Sequence, residues 1–271
     1  MLAYGATGAG KTHTMHGPHG VVPAAAAAIA LAADERRRKG WTTTVTATAV
    51  EVYAEKCYDL LGDHATPLQL TSEGDVRGAT RVEVAAGDAA ALSRLVARAA
   101  AARRTASTAL NDRSSRSHAL VRLALTGDDG AEITRGSLTL ADLAGSERAD
   151  RAGTAKPGGD DARLKEACAI NRSLSCLVDV FRALAARGKS RKAEHVPYRN
   201  SVLTRLLQKP LSGDGKALLA VHVAPDQALE STATLRFAAD VSLIETGRPT
   251  RDAVAKRGLR PHNAGGGVRS K

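Results

Sequence analysis

An α/β domain with helices on both faces of a central sheet is the fold class that this sequence predicts. Predicted strands and helices alternate along most of the 271 residues, as in layered α/β domains. The pattern G-x-x-x-x-G-K-T, typical of phosphate-binding loops, lies at residues 5–12. A hydrophobic content of 43% with 25% charged residues is that of an ordinary globular protein.

The predicted helices follow from composition and period. Residues 22–38 are rich in Ala, and residues 88–104 begin at Asp88, which suits an N-cap. Residues 164–184 repeat Leu, Ala and Phe at three-to-four spacing, the clearest amphipathic pattern in the chain. Shorter helices are predicted at residues 200–208 and 231–244, and a helical or turn segment at residues 55–61.

The predicted strands are rich in β-branched residues. Near-alternation over residues 41–53 predicts a long strand, and residues 119–126 and 133–143 predict two strands joined by a turn at Gly127–Gly130. Shorter strands are predicted at residues 67–70 and 217–223.

The positive charge is concentrated in two blocks. The net charge is +11, and residues 187–216 and 246–271 each carry +6. Such blocks favour a polyanionic partner, and the alternative is a solvated loop and a disordered tail. Nucleic acid is compatible with the charge, but only 3% of the residues are aromatic, which leaves few stacking platforms. We therefore expect no nucleic-acid partner.

The cysteines and the apolar stretches exclude other classes. Cys57, Cys168 and Cys176 lack metal-ligand spacing, which predicts reduced thiols in a cytosolic protein. The longest apolar stretch, residues 21–33, is short and interrupted by Pro23, so it cannot span a bilayer. No membrane partner is expected.

The glycine-rich segment has the residues that a phosphate cradle requires. Its glycines allow successive N–H groups to converge on phosphate oxygens. Lys11 would place an ammonium against the β- and γ-phosphates, and the Thr12 hydroxyl would ligate Mg²⁺. A chance match is the alternative, and two further motifs weaken it. The predicted cradle comprises Gly5, Ala6, Thr7, Gly8, Ala9, Gly10, Lys11 and Thr12.

Two polar motifs lie downstream of the cradle. Residues 111–118, N-D-R-S-S-R-S-H, can close over a γ-phosphate, and residues 142–147, D-L-A-G-S-E, begin where a predicted strand ends. Asp142 is a candidate Mg²⁺ carboxylate, and the Gly145 amide is a candidate γ-phosphate donor. A Ser-rich loop and a simple strand-to-turn junction are the alternatives for the two segments.

In this order, the three motifs resemble the nucleotide site of kinesin motor domains. Further matches are E-V-Y-A-E-K at 51–56, I-N-R-S-L at 170–174, H-V-P-Y-R-N-S at 195–201 and L-R-F-A at 235–238. The resemblance implies a P-loop NTPase fold with a mixed, mainly parallel sheet over residues 1–247. The Gly, Pro and Arg content of residues 248–271 predicts a disordered basic tail. The resemblance also implies that the first strands of the domain, including the strand that feeds the phosphate loop, lie upstream of Met1.

The resemblance further implies ATP and Mg²⁺ as ligands and assigns roles within the three motifs. Arg116 and Glu147 would pair as the loops close and would position the attacking water. The residues implied in catalysis are Ser115, Arg116, Gly145 and Glu147. The residues implied in Mg²⁺ binding are Thr12, Ser115 and Asp142. Asn111 and Ser114 join the predicted nucleotide-binding residues.

By the same resemblance the partner is the microtubule, whose surface is acidic, and the location is the cytoplasm and its cytoskeleton. The implied microtubule contacts are Lys189, Arg191, Lys192, Arg199 and Arg205. Val202 stands where the family usually has Lys, so a binding module without ATP turnover remains the alternative to a microtubule-stimulated ATPase. A generic GTPase would require an N-K-x-D motif, which is absent from the sequence.

The residues after the last matching motif indicate a subfamily. After residues 235–244 no linker followed by a coiled-coil pattern is present in the sequence. This resembles the kinesins with a C-terminal motor, and dimerisation through a coiled coil outside this chain stays open.

Overall fold

The computed structural model describes residues 1–105, 113–147, 161–189, 195–212, 215–244 and 252–255. Its strands are β1 Leu2–Gly5, β2 Thr42–Tyr53, β3 Lys56–Asp59, β4 Gln69–Leu70, β5 Val76–Arg77, β6 Val82–Ala85, β7 His118–Asp128, β8 Glu132–Asp142, β9 Leu219–His222 and β10 Asp252–Ala255. Its helices are α1 Lys11–His16, α2 Val21–Arg38, α3 Ala89–Thr105, α4 Asp161–Lys189, α5 Val202–Leu206, α6 Gln208–Leu211 and α7 Ala228–Ser242, with 3-10 turns at Arg113–Arg116 and Tyr198–Asn200.

The central sheet is mixed, as the sequence predicts. Its main path runs β3-β2-β7-β8-β1-β9, with β6 paired to β2 and β10 paired to β8. Strand β1 is parallel to both of its neighbours, β8 and β9, while the pairs β3-β2, β2-β7 and β7-β8 are antiparallel. Strands β2, β8, β1 and β9 therefore point the same way. The phosphate loop follows β1, in the parallel part of the sheet.

The strand that feeds the phosphate loop is present in this chain, so the expectation that it lies upstream of Met1 is wrong. Strand β1 is buried along its whole length. Leu2 pairs with Ala141 on one side and with Leu219 on the other. Four residues suffice because pairing on both edges satisfies their backbone groups and both faces of the strand are covered.

Two further elements differ from their predictions. Residues 55–61, predicted as a helical or turn segment, contain strand β3, because the positive φ angles of Ala54 (48°) and Glu55 (58°) turn the chain back onto β2. Residues 252–255, within the segment expected to be disordered, form β10 on the first half of β8. That half of β8 extends beyond β1, which pairs only near Asp142, and so offers an edge for pairing.

Helices cover both faces of the sheet, as predicted. On one face α2 and α3 pack through Ala and Leu side chains such as Ala26 and Leu92. On the other face α4 packs through Leu177 and Phe181, together with Leu203 of α5. Helix α4 is longer than the predicted 164–184 at both ends. No helix in the described ranges combines the length and hydropathy needed to cross a bilayer.

Asp88 caps α3, as its sequence position predicts. Its Oδ1 accepts a hydrogen bond from the Ala91 amide at 2.8 Å. We expect Asp88→Ala to lower the free energy of unfolding by about 1 kcal/mol, because an N-terminal amide of the helix loses its acceptor. Asp88→Asn keeps an acceptor and should lose much less in urea denaturation. Equal losses for the two variants would contradict the capping role.

Candidate nucleotide site

The phosphate loop lies between β1 and α1. Gly8 and Gly10 have φ angles of 83° and 95°, in the left-handed region that favours glycine. The loop turns where the Ala9 amide donates to the Ala6 carbonyl at 3.2 Å. It borders a cavity of about 240 Å³ lined by Thr7, Gly8, Gly10, Lys11, Thr12, His13 and Ser115. The predicted cradle therefore shares a cavity with Ser115 of the polar motif at residues 111–118.

Lys11 is buried beneath the loop. Its ammonium donates to the carbonyls of Gly5 and Ala6 at 2.9 and 2.8 Å. Burial lowers the pKa of Lys11, and the negative charges of Asp142 and Glu147 oppose that shift. The ammonium thus lies at the floor of the cradle, where it can exchange carbonyl contacts for phosphate oxygens.

Asp142, at the end of β8, is fully buried between two donors. Its Oδ2 accepts from the Thr12 hydroxyl at 2.8 Å and from the guanidinium of Arg103, which comes from the end of α3. Arg103 also donates to the Ser117 carbonyl at 2.9 Å. Sequence reasoning missed Arg103, since a basic residue in the last turn of a helix is ordinarily a partner of the helix dipole.

The residues around Asp142 fit a hydrated Mg²⁺ ion. Within the described residues, Oδ1 of Asp142 is buried and has no hydrogen-bond partner. A buried carboxylate oxygen requires a donor, and a water bound to Mg²⁺ is such a donor. The hydroxyl of Thr12 lines the cavity beside it. Thr12 and Asp142 thus meet as the sequence predicts.

The segment from Leu143 to Ser146 is held by backbone amides that bond to four different places. The amides of Leu143 and Ser146 donate to β1 and the start of the phosphate loop, at Ala3 (3.3 Å) and Gly5 (3.0 Å). The Gly145 amide donates to the Ser115 carbonyl at 2.9 Å. The Ala144 amide donates to Nδ1 of His118 at 3.0 Å. A displacement of this segment would therefore change hydrogen bonds to the phosphate loop, to Ser115 and to β7 together.

Two side chains confine the space around Gly145. A Cβ atom at this position would overlap the Thr7 hydroxyl and the Glu147 carboxylate. Any side chain here would push the carboxylate away from the phosphate loop.

Arg116 and Glu147 have other partners than the pair that the resemblance implies. Arg116 donates to Oε2 of Glu166 on α4 at 2.8 Å. Glu147 accepts from the Thr7 amide at 2.9 Å and from the Thr7 hydroxyl. The Glu147 carboxylate therefore has two donors from Thr7 in the phosphate loop, while the Arg116 guanidinium pairs with a carboxylate of α4. The structure therefore differs from the expected pair in this conformation.

The remaining predicted residues are placed as follows. Asn111, Arg191 and Lys192 lie outside the described residues. Ser114 lies in the 3-10 turn before β7, and Lys189 is the last residue of α4. Arg199 is exposed in the turn Tyr198–Asn200.

Arg205, a predicted microtubule contact, has hydrogen-bond partners inside the domain. Its guanidinium donates to the carbonyls of Leu70 and Thr71 at 3.2 and 2.8 Å. These carbonyls belong to the last residue of β4 and to the residue after it, so the hydrogen bonds connect α5 to the small hairpin of β4 and β5. Arg205 thus has a structural role inside the domain.

Sequence reasoning also missed Gln227. Its side-chain amide donates to the Thr7 carbonyl at 3.0 Å from the residue before α7. The two residues are 220 positions apart, so no local pattern could have connected them.

The fold and this site define a protein of the P-loop nucleoside triphosphatase class. Residues 1–244 match the family model described as the kinesin motor domain. The chain belongs to the kinesin motor domain family.

Relatives with this match are known in sequence and in structure. Kinesin-like protein klpA of Emericella nidulans is 43% identical over 252 residues, covering 89% of this chain and 32% of the relative. A structure described as a KIF14 dimer with AMP-PNP in complex with a microtubule has a TM-score of 0.79, 30% identity and coverage of 93% and 72%. A structure of the C-terminal motor and motor homology domain of Kar3Vik1, fused to a synthetic coiled coil, has a TM-score of 0.74, 35% identity and coverage of 89% and 62%. The chain spans about a third of the length of the curated relatives that it matches.

Proposed function

We propose that this chain binds ATP with Mg²⁺ and hydrolyses ATP in response to microtubules, as the motor domain of a microtubule motor. The observation that carries the proposal is the meeting of Thr12 with Asp142 directly beside Lys11, at the end of parallel strands. Triphosphate chemistry requires a cation for the phosphates and oxygen ligands for Mg²⁺ at this place. The similarity to a kinesin structure containing AMP-PNP and a microtubule supports the same proposal.

Each residue of the site would have a separate role in ATP hydrolysis. Lys11 would bind the phosphate oxygens, and Thr12 with Asp142 would hold the Mg²⁺ ion. When bound, Mg²⁺ neutralises the charge that develops on the phosphates. Ser115 borders the same cavity and would contribute its hydroxyl to the ion. Catalysis would rest on positioning and electrostatic stabilisation.

A change of partners would complete the site. Gly145 would turn its amide from Ser115 to the γ-phosphate, and this movement would displace Glu147 from Thr7. Arg116 would then leave Glu166 for Glu147, and the pair would position the attacking water.

The net charge of residues 187–216 supports the microtubule as partner. Residues 187–216 carry eight Lys and Arg against two acids. Electrostatic attraction to an acidic surface is screened by salt, so association should weaken at high ionic strength. The proposed location is the microtubule cytoskeleton of the cytoplasm. The similarity to the C-terminal motor domain of Kar3Vik1 supports a C-terminal-motor kinesin. Dimerisation through a coiled coil outside this chain is part of the proposal.

A binding module without ATP turnover is the second candidate. It is favoured by the present contacts of Arg116 with Glu166 and of Glu147 with Thr7, which engage both members of the pair that would position the attacking water. Steady-state ATP turnover with and without taxol-stabilised microtubules separates the candidates. The motor proposal expects turnover that rises at least about tenfold with microtubules and is lost in Lys11→Ala. Microtubule binding without turnover in the folded protein would instead support the binding module.

Arg199 and Arg205 should differ in microtubule binding. We expect Arg199→Ala to weaken cosedimentation with microtubules by about threefold to fivefold at low salt, because it removes an exposed charge. Arg205→Ala should mainly lower the free energy of unfolding, by about 1–3 kcal/mol, because two partly buried carbonyls lose a charged donor. A larger loss of binding in Arg205→Ala than in Arg199→Ala, with unchanged stability, would contradict this division.

A further inference from the structure

A buried chain of hydrogen bonds runs from the Ala144 amide to helix α4. The amide donates to Nδ1 of His118 at 3.0 Å, and Nε2 of His118 lies 2.8 Å from Oγ of Ser173. The Ser173 hydroxyl in turn donates to the Ile170 carbonyl at 2.7 Å. The side chains of His118 and Ser173 are each only 2% exposed.

The chemistry of the partners fixes the direction of every bond. An amide can only donate, so Nδ1 of His118 is the acceptor and Nε2 carries the proton. Nε2 therefore donates to Ser173, whose own proton is used by Ile170. Burial, with the nearby charge of Arg103, lowers the pKa of His118 to about 3, so the imidazole stays neutral. Each hydrogen bond in this series therefore has one defined donor and one defined acceptor.

His118 lies where this series of hydrogen bonds can transmit a movement from the nucleotide site to α4. His118 is the first residue of β7, and the next residue, Ala119, pairs with Asp142 at the end of β8. Ala144 directly precedes Gly145, and Ser173 lies in the buried stripe of α4 beside Leu174. A rigid imidazole thus connects the segment beside the phosphate site to the longest helix described.

We propose that His118 is a positioning residue that couples the segment Leu143–Ser146 to α4 through Ser173. When Gly145 turns toward a γ-phosphate, the Ala144 amide moves His118, and His118 shifts or releases Ser173. The same bonds act in reverse, so displacement of α4 by a bound partner would reposition Gly145. The inference rests on the proposed function, because it assigns to that site a path toward the microtubule-facing helix.

Hydrogen–deuterium exchange, with and without AMP-PNP and MgCl₂, tests the coupling without microtubules. Ser173→Ala removes the α4 end of the chain. His118→Asn keeps an acceptor close to Nδ1 for the Ala144 amide but is too short to reach Ser173. Ser175→Ala is the matched control, because Ser175 is exposed on the same helix. Circular dichroism confirms that each variant is folded at the temperature of the measurement.

In the wild type and in Ser175→Ala, we expect the nucleotide to change exchange both in Lys11–His16 and in residues 170–177. In Ser173→Ala and His118→Asn the change in Lys11–His16 should persist, while the change in residues 170–177 should fall to less than half. A purely structural role would raise exchange with and without nucleotide and leave the difference intact, which would overturn the inference alone. No nucleotide effect at Lys11–His16 in the wild type would contradict the proposed function and this coupling with it.

Discussion

Replacing Asp142 by Ala should abolish Mg²⁺-dependent ATP turnover and lower the free energy of unfolding by about 3–5 kcal/mol. The first effect follows because Asp142 supplies the buried oxygen that faces the proposed Mg²⁺ ion. The second follows because the guanidinium of Arg103, whose side chain is only 4% exposed, loses a buried carboxylate partner. Removing one member of a buried ion pair leaves the other charge in a medium that solvates it poorly.

Asp179→Ala is the matched control for Asp142→Ala. Asp179 pairs with Arg182 at 3.6 Å on the exposed face of α4, where both side chains are more than half exposed. Exposed pairs of this kind contribute about 0–1 kcal/mol, so urea denaturation should show little change. An equal loss of stability in Asp142→Ala and Asp179→Ala would contradict the predicted contribution of the buried Arg103–Asp142 pair to the free energy of unfolding.

Replacing Gly145 by Ala should leave ATP binding nearly intact and lower the turnover rate by about a hundredfold. The new Cβ would meet the Thr7 hydroxyl and the Glu147 carboxylate, so both side chains would have to shift from their present contact, and the backbone at residue 145 would lose the freedom that the proposed turn requires. A displacement of about 1 Å at a catalytic segment costs about that factor. Fluorescence titration with an ATP analogue and single-turnover hydrolysis measure the two quantities separately.

Gly136→Ala provides the comparison for Gly145→Ala. Gly136 lies within β8, and a Cβ atom there would meet no heavy atom within 4 Å. Its turnover should equal that of the wild type within about twofold. Normal turnover in Gly145→Ala would show that this segment does not have to move, and would contradict the proposed exchange of partners.

The elements predicted best are those with a strong local pattern. Helix α2, strand β2 and the hairpin of β7 and β8 follow from Ala content, β-branched alternation and a glycine turn. The phosphate cradle and Asp142 could also be predicted, because sheet topology brings the ends of neighbouring parallel strands together. The structure places Thr12 against Asp142 accordingly.

The parts that sequence reasoning missed depend on contacts between distant residues. Strand β1 is too short to show a period, and it is a strand because β8 and β9 pair with both of its edges. Strand β3 depends on positive φ angles at Ala54 and Glu55. Alanine and glutamate seldom adopt such angles, so their identity does not predict this turn. Arg103 reaches Asp142 across 39 positions, and no spacing within either element encodes that contact.

Equilibrium binding of a fluorescent ATP analogue tests the central claim, that residues 5–12 with Asp142 bind a Mg²⁺–triphosphate. The titration is made with Mg²⁺ and with EDTA, on the wild type, on Lys11→Ala and on Lys39→Ala, which removes an exposed lysine. We predict that EDTA and Lys11→Ala each weaken binding by at least about tenfold, since charge-assisted contacts are lost, while Lys39→Ala is unchanged. Equal affinity in all three proteins, with or without Mg²⁺, would contradict the account.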